Sequence, residues 1–255
     1  MNTSLQQINK IIKITETAEL RKIILSGQFD DSIQIKNNEH ICKDGSIYDY
    51  SSITDMSFMF ENCFSLTSIP LFDTSNVTNM NNMFKRCSSL ITIPLFNTSS
   101  VIYMTNMFYY CEKLKHIPLL DTSNVSDMSH MFDYCQSLIS IPLLNTFNVS
   151  NMYSMFQDCI SLTTIPLFDT SNVVNMGSLF RCCRSLINLP LFNIINVNYF
   201  AFIFSYTSFS NTEKLIFVLQ KNKDLILLKN LNLGLLSVSQ INDLSEKHLR
   251  PLSIF

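Results

Sequence analysis

Apolar residues fall in two alternating rhythms along most of the chain. In FDTSNVTNMNNMFKRCSSLITIPL, residues 72–95, Val77, Met80, Met83, Phe84 and Cys87 stand three and four apart, as on one face of a helix. Ser75 and Asn76 precede them and are good N-cap types. Leu90, Ile93 and Leu95 follow, and Ile93 and Leu95 alternate about Pro94 as a strand does. Proline cannot donate to a ladder, so either that strand is short and ends at Pro94 or Pro94 takes a position whose N–H would point away from the neighbouring strand. The small polar residues before Val77 are of the kind that bond their own backbone in turns. The pattern predicts a short strand, a turn, a helix and a second turn.

The pattern recurs every 24 residues. Pro70, Pro94, Pro118, Pro142, Pro166 and Pro190 keep that step, as do Cys63, Cys87, Cys111, Cys135, Cys159 and Cys183. Six copies are clear, and a seventh, starting at Phe192, is degenerate: Phe200 stands where Met is usual and Thr207 where Cys is usual. One unit has too few apolar side chains to offset the entropy of ordering its backbone, so units must bury each other's faces. Strands stack about 4.8 Å apart and helices about 8–10 Å apart, a mismatch that would curve the stack. The expectation is an α/β repeat: a leucine-rich-repeat solenoid, horseshoe or arc, of 24-residue strand-turn-helix units with helical caps at both ends.

An open stack exposes its core at each end, so caps are expected. Residues 1–47 read as an N-terminal helical cap, with Leu5, Ile8, Ile12, Leu20 and Ile24 apolar and Gly27 at the helix end. Residues 48–215 read as the solenoid of seven units. Residues 216–255 read as a C-terminal helical cap, entered through a capping box at Ser210 and Glu213.

Charge and candidate chemistry narrow the function by exclusion. Eighteen Lys and Arg against twenty Asp and Glu give a net charge of −2, without the basic surplus that phosphate binding needs. No apolar run reaches membrane-span length. No signal peptide or lipid-attachment motif is recognisable, so a cytoplasmic location is the expectation from the residues. The Cys column shares the phase of the helix stripe, and copies one helix spacing apart would lie beyond disulfide reach; free thiols packed as small hydrophobes are expected. Met80 with Met83 and Met128 with Met131 read as core, as does the column Phe72, Phe96, Leu120, Leu144, Phe168 and Phe192. His40, His116, His130 and His248 are scattered and read as surface residues. The sequons at Asn76, Asn97, Asn124 and Asn148 read as turn and cap residues. With no Gly-rich phosphate loop and no zinc-ligand spacing, neither catalysis, cofactor nor metal is expected.

FDTSNVTNMNNMF followed by C-x-x-L and I-P-L resembles the BspA-type leucine-rich repeats of bacterial surface proteins, over about two thirds of the chain. The resemblance implies a non-enzymatic solenoid and adhesion at a cell surface. That family often has Gly before the Cys, where this chain has Asn62, Arg86, Tyr110, Tyr134, Asp158 and Cys182.

The functional expectation is an interaction scaffold for a protein or peptide partner, monomeric, with no nucleic acid bound and no membrane span. The alternatives are a surface adhesin of the BspA type, or an effector whose C-terminal tail acts while the repeats target it. Residues two before each Pro should line the concave side: Ser68, Thr92, His116, Ser140, Thr164 and Asn188, with Lys115 beside His116. The unit 96–119 is the least typical, with Tyr103, Tyr109 and Tyr110 as further interface types.

Overall fold

The structure is a computed structural model that describes residues 11–27, 39–41, 47–187, 190 and 192–208. Leu5, Ile8, His248, the capping box at Ser210 and the C-terminal cap lie outside the described residues. At the N-terminal end stand β1 (Ile11–Lys13), α1 (Thr17–Leu25), β2 (Glu39–Ile41) and β3 (Ile47–Asp49). β3 is central, parallel to β1 with Ile12 opposite Tyr48, and antiparallel to β2 with His40 opposite Tyr48. Among the described residues of the expected N-terminal helical cap, helix begins at Thr17. The β-branched pair Ile11–Ile12 before it joins the sheet instead, as suits such residues. Leu20 and Ile24 bury α1 in a core continuous with the repeats, and Thr17 Oγ1 donates to the Asp55 carbonyl at 2.6 Å. Gly27 closes the helix at φ 72°, the left-handed position glycine favours.

The repeats contain no helix among the described residues, which corrects the strand-turn-helix reading. Residues 80–87 instead run as consecutive turns with two sets of hydrogen bonds. Met83, Lys85 and Cys87 donate back three residues, to Met80, Asn82 and Phe84, at 3.2, 3.1 and 2.9 Å. Met80, Asn82, Phe84 and Arg86 donate forward to the next unit, to Tyr103, Thr105, Met107 and Tyr109, at 2.8, 3.0, 2.9 and 2.6 Å. A helix would commit every amide to its own segment; here alternate amides build a ladder between units. The turns need a left-handed residue twice per unit, as at the third position of a type II turn. Asn82 and Arg86 supply it at φ 58° and 61°, and their counterparts do so in every unit from Phe58 to Tyr206.

Because the ladder replaces helix packing, units stack at strand spacing on this side too. The rings of Phe60, Phe84, Phe108, Phe132, Phe156, Phe180 and Phe204 form one column, centroids 5.4–6.1 Å apart and planes within 7°. The mismatch that would bend the stack, helices outside and strands inside, is therefore absent. The cysteine column is spaced the same way, so distance does not keep its thiols apart. They are free and point alike: Cys87, Cys111, Cys135, Cys159 and Cys183 each donate Sγ–H to the carbonyl of the Phe 27 residues earlier, at 2.9–3.1 Å. The methionines and the column from Phe72 to Phe192 are buried as expected.

Polar columns tie the remaining edges. Thr74, Thr98, Thr122, Thr146 and Thr170 are buried, each donating its hydroxyl to a carbonyl of the next unit at 2.7–2.8 Å. Asn76, Asn124, Asn148, Asn172 and Asn196 donate to the preceding unit. Ser100 takes the place of Asn in that column and makes the same bond, to the Ser75 carbonyl. Asp73, Asn97, Asp121, Asn145, Asp169 and Asn193 each accept the amide two residues on. Charged and neutral members alternate in that column, which spares carboxylates from stacking directly on carboxylates. Parallel bridges join Asp55, Asn79 and Tyr103, then Asp127, Asn151, Asn175 and Tyr199. Among the described residues the bridge between Tyr103 and Asp127 is missing, in the atypical unit.

Candidate interaction face

The segment around each proline forms one outer face of the stack, and its geometry differs from the strand that alternation predicts. Leu90, Ile93 and Phe96 are buried, as are Leu114, Ile117 and Leu120, and Leu138, Ile141 and Leu144. Burial thus repeats every third residue, the period of a polyproline-type strand, which suits a proline with φ fixed near −65°. Leu95 is consequently exposed, whereas two-residue alternation puts it beside Ile93. Backbone bonding between units here falls to one bond each, at Ile91, Lys115, Ile139, Thr163 and Ile187, three residues before each proline.

Period three leaves two outward ridges along the stack. One carries Thr67, Ile91, Lys115, Ile139, Thr163 and Ile187, together with the half-buried prolines. The other carries Ser68, Thr92, His116, Ser140 and Thr164 together with Leu71, Leu95, Leu119, Leu143 and Leu167. The last four leucines expose 60–62% of their surface. Of the residues singled out from the sequence, Ser68, Thr92, Lys115, His116 and Thr164 are exposed and Ser140 is half-buried; Asn188 lies outside the described residues. The stack brings this column together along one ridge. Lys115 and His116 are the titratable residues of the two ridges among the described residues.

The exposed leucines escaped the sequence reading because Leu-x-x-Ile-x-Leu looks like core. The available signal was Leu90–Ile93–Phe96, three apolar residues at steps of three.

The opposite, turn-bearing side collects aromatic rings. Tyr110 stacks on Tyr134 at 4.2 Å, Tyr109 meets Tyr110 edge-on at 4.6 Å, and His130 meets Tyr153 edge-on at 5.1 Å. His130 is not a plain surface residue: its Nδ1 pairs with Asp133 Oδ2 at 2.8 Å. Asp133 is buried, and desolvation holds its carboxyl above the usual range despite His130. The neighbouring Asp158 charge pushes the Tyr134 phenol up to about 12. Tyr103 and Tyr199 are exposed. These rings pack on one another across units, and no three metal-ligating side chains converge among the described residues.

The family described as Mycoplasma protein of unknown function, DUF285, matches residues 25–140 and 113–216. The chain belongs to that family. Its fold is similar to the leucine-rich-repeat protein TpLRR of T. pallidum, with 23% identity, 72% of this chain and 81% of that chain covered, and a TM-score of 0.51. A leucine-rich-repeat protein from Eubacterium ventriosum aligns at 18% identity and a TM-score of 0.48, over 64% of this chain and 43% of that one. The chain therefore spans less than half of that protein's length. No curated protein matches. Leucine-rich repeat is thus the fold, with a unit made of stacked turns.

Proposed function

We propose that this protein is a non-enzymatic interaction scaffold whose working surface is the proline-centred face. The row of exposed leucines from Leu71 to Leu167 carries the reading. Contiguous apolar surface of this kind marks association sites, and here every neighbouring unit extends it. Ser68, Thr92, Lys115, His116, Ser140, Thr164 and Asn188 are the polar positions assigned to recognition beside it. The partner is a protein or peptide. The net charge of −2 supports neither nucleic acid nor an anionic lipid surface as partner. Residues 1–47 and 216–255 serve as end caps of the array 48–215.

A BspA-type surface adhesin is the second reading. It is favoured by the residue before each Cys of the repeat column, which is left-handed in every unit from Asn62 to Cys182; the glycine of that family is the residue such a position favours.

Affinity capture with the full chain, followed by titration of the captured partner, tests the scaffold. Lys115→Thr with His116→Ser should leave folding within about 0.5 kcal/mol and weaken binding. Replacing Tyr109 and Tyr110 should matter less. Loss of binding through the tyrosines alone would move the working surface to the turn side and end this reading.

A further inference from the structure

We infer that the occupant of the proline-centred face is a second copy of this chain, stacked antiparallel across a two-fold axis between the Leu119 and Leu143 rows. This rests on the reading of that face as an interaction surface, and it replaces the monomer expected from the sequence.

Three observations carry it. The first is period. Side chains repeat along both ridges at the unit spacing, about 4.8 Å. An extended peptide laid along the stack presents same-face side chains about 6.6–6.8 Å apart and drifts out of step within two units. A second stack of the same units stays in step along the whole face, so rows of side chains meet in register as between the paired sheets of dry zipper interfaces.

The second observation is self-complementarity. A two-fold interface puts residue i on j and j on i. With the axis perpendicular to the stack, each ridge faces its own copy in reverse order. Leu119 then meets the partner's Leu143, and Leu95 meets the partner's Leu167. On the other ridge, Ile91 meets the partner's Thr163, Thr67 the partner's Ile187, and Lys115 the partner's Ile139. Each exposed isoleucine, at 41–63% exposure, faces a shorter side chain or the aliphatic stem of a lysine. The Ser/Thr/His column pairs as well, His116 with the partner's Ser140 and Thr92 with the partner's Thr164. A parallel pairing that put each residue on its own copy would stack Ile on Ile and Lys115 on the partner's Lys115. The antiparallel order avoids both.

The third is area. Five leucines and three isoleucines are exposed on the two ridges. At about 100 Å² each they offer about 800 Å², what one partner contributes to a standard interface. Lys115 is the one fixed charge among them, so little charge must be desolvated.

Sedimentation velocity on the full chain tests this, with far-UV circular dichroism as the folding control. The expected wild-type species at about 10–100 µM, where a standard-size interface is populated, has twice the chain mass of 29.3 kDa. Leu119→Glu and Leu143→Glu should each halve that mass, and L119K/L143E should restore it, since the introduced lysine then faces the partner's introduced glutamate. A wild-type monomer across that range overturns the inference, and so does a dimer that survives Leu119→Glu. Failure of L119K/L143E to restore the dimer overturns the antiparallel register. If the wild type is monomeric but Leu119→Glu abolishes binding of a captured protein, the scaffold reading stands and the second copy as occupant does not.

Discussion

Titration from about pH 7.5 to pH 10 perturbs five groups at once: Cys87, Cys111, Cys135, Cys159 and Cys183. In an unfolded chain a thiol ionises near pH 8.5. In the stack, burial pushes the Cys87 thiol up to about 12 and raises the other four well above their ordinary value. Between these limits the folded protein keeps a proton that the unfolded chain has released. The stabilisation is fully present below about pH 8.5 and is lost as pH rises from there toward the folded value. The slope is about 1.4 kcal/mol per pH unit and thiol, so at pH 10 each thiol has cost about 2 kcal/mol. Five thiols unfolding together cost about 10 kcal/mol, comparable with the whole stability of a typical domain. Chemical denaturation under reducing conditions, followed by circular dichroism at a series of pH values, should show stability collapsing across this range. Cys135→Ala should lower the slope by about 1.4 kcal/mol per pH unit, whatever its cavity costs at neutral pH. Stability that stays flat from about pH 8 to 10 would refute the reasoning.

Other perturbations separate the layers of the fold. Phe132→Ala, in mid-stack with a ring on either side, should cost about 3–5 kcal/mol in chemical denaturation, and Phe204→Ala in the degenerate unit less; equal losses would contradict a nearest-neighbour stack. Arg86→Gly removes a side chain from an exposed residue at φ 61° and should stabilise by about 0.5–1 kcal/mol; a loss would show that the left-handed columns are not strained. Asn97→Asp breaks the Asp/Asn alternation and sets three carboxylates in a row, so it should cost about 0.5–1 kcal/mol at neutral pH. Bonds from Ser123 hold the Asp121 carboxyl below the usual range. Its contribution is therefore present above about pH 3.9 and fades as pH falls through the folded value. The Asn97→Asp difference should vanish there, and a difference that persists in acid would rule out charge as its cause.

The period, the buried columns and the polar turn residues were legible in the sequence because each repeats in register. The turn ladder was not. Met80, Met83, Phe84 and Cys87 satisfy helical spacing, but turns advancing four residues at a time put the same positions inward. A clue lay in the columns of Asn82 and Arg86, which hold Asn, Ser, His, Asp, Arg, Cys and aromatic residues but no Val, Ile or Thr, the types least able to take positive φ. Leu95 was misplaced for a related reason: Pro94 sets a three-residue period where alternation assumes two. Of the candidate site, the leucine neighbours of the polar column were assigned to the core. The His130–Asp133 pair joins residues three apart, a spacing that makes neighbours on a helix as well, and it was missed because His130 was read alone as a surface residue.

The central claim is that units stack at one backbone hydrogen-bond spacing on the turn side as well. A pair of spin labels at positions 86 and 206, five units apart on exposed turn residues, tests it by pulsed electron resonance. Cys42 and Cys63 are replaced by alanine so that the introduced thiols take up the label, the native column from Cys87 to Cys183 being buried. Ring spacings of 5.4–6.1 Å per unit place the two labels about 25–30 Å apart on a strand-spaced stack. Helices on that side would set them about 40–50 Å apart, and a distance in that range would contradict the account.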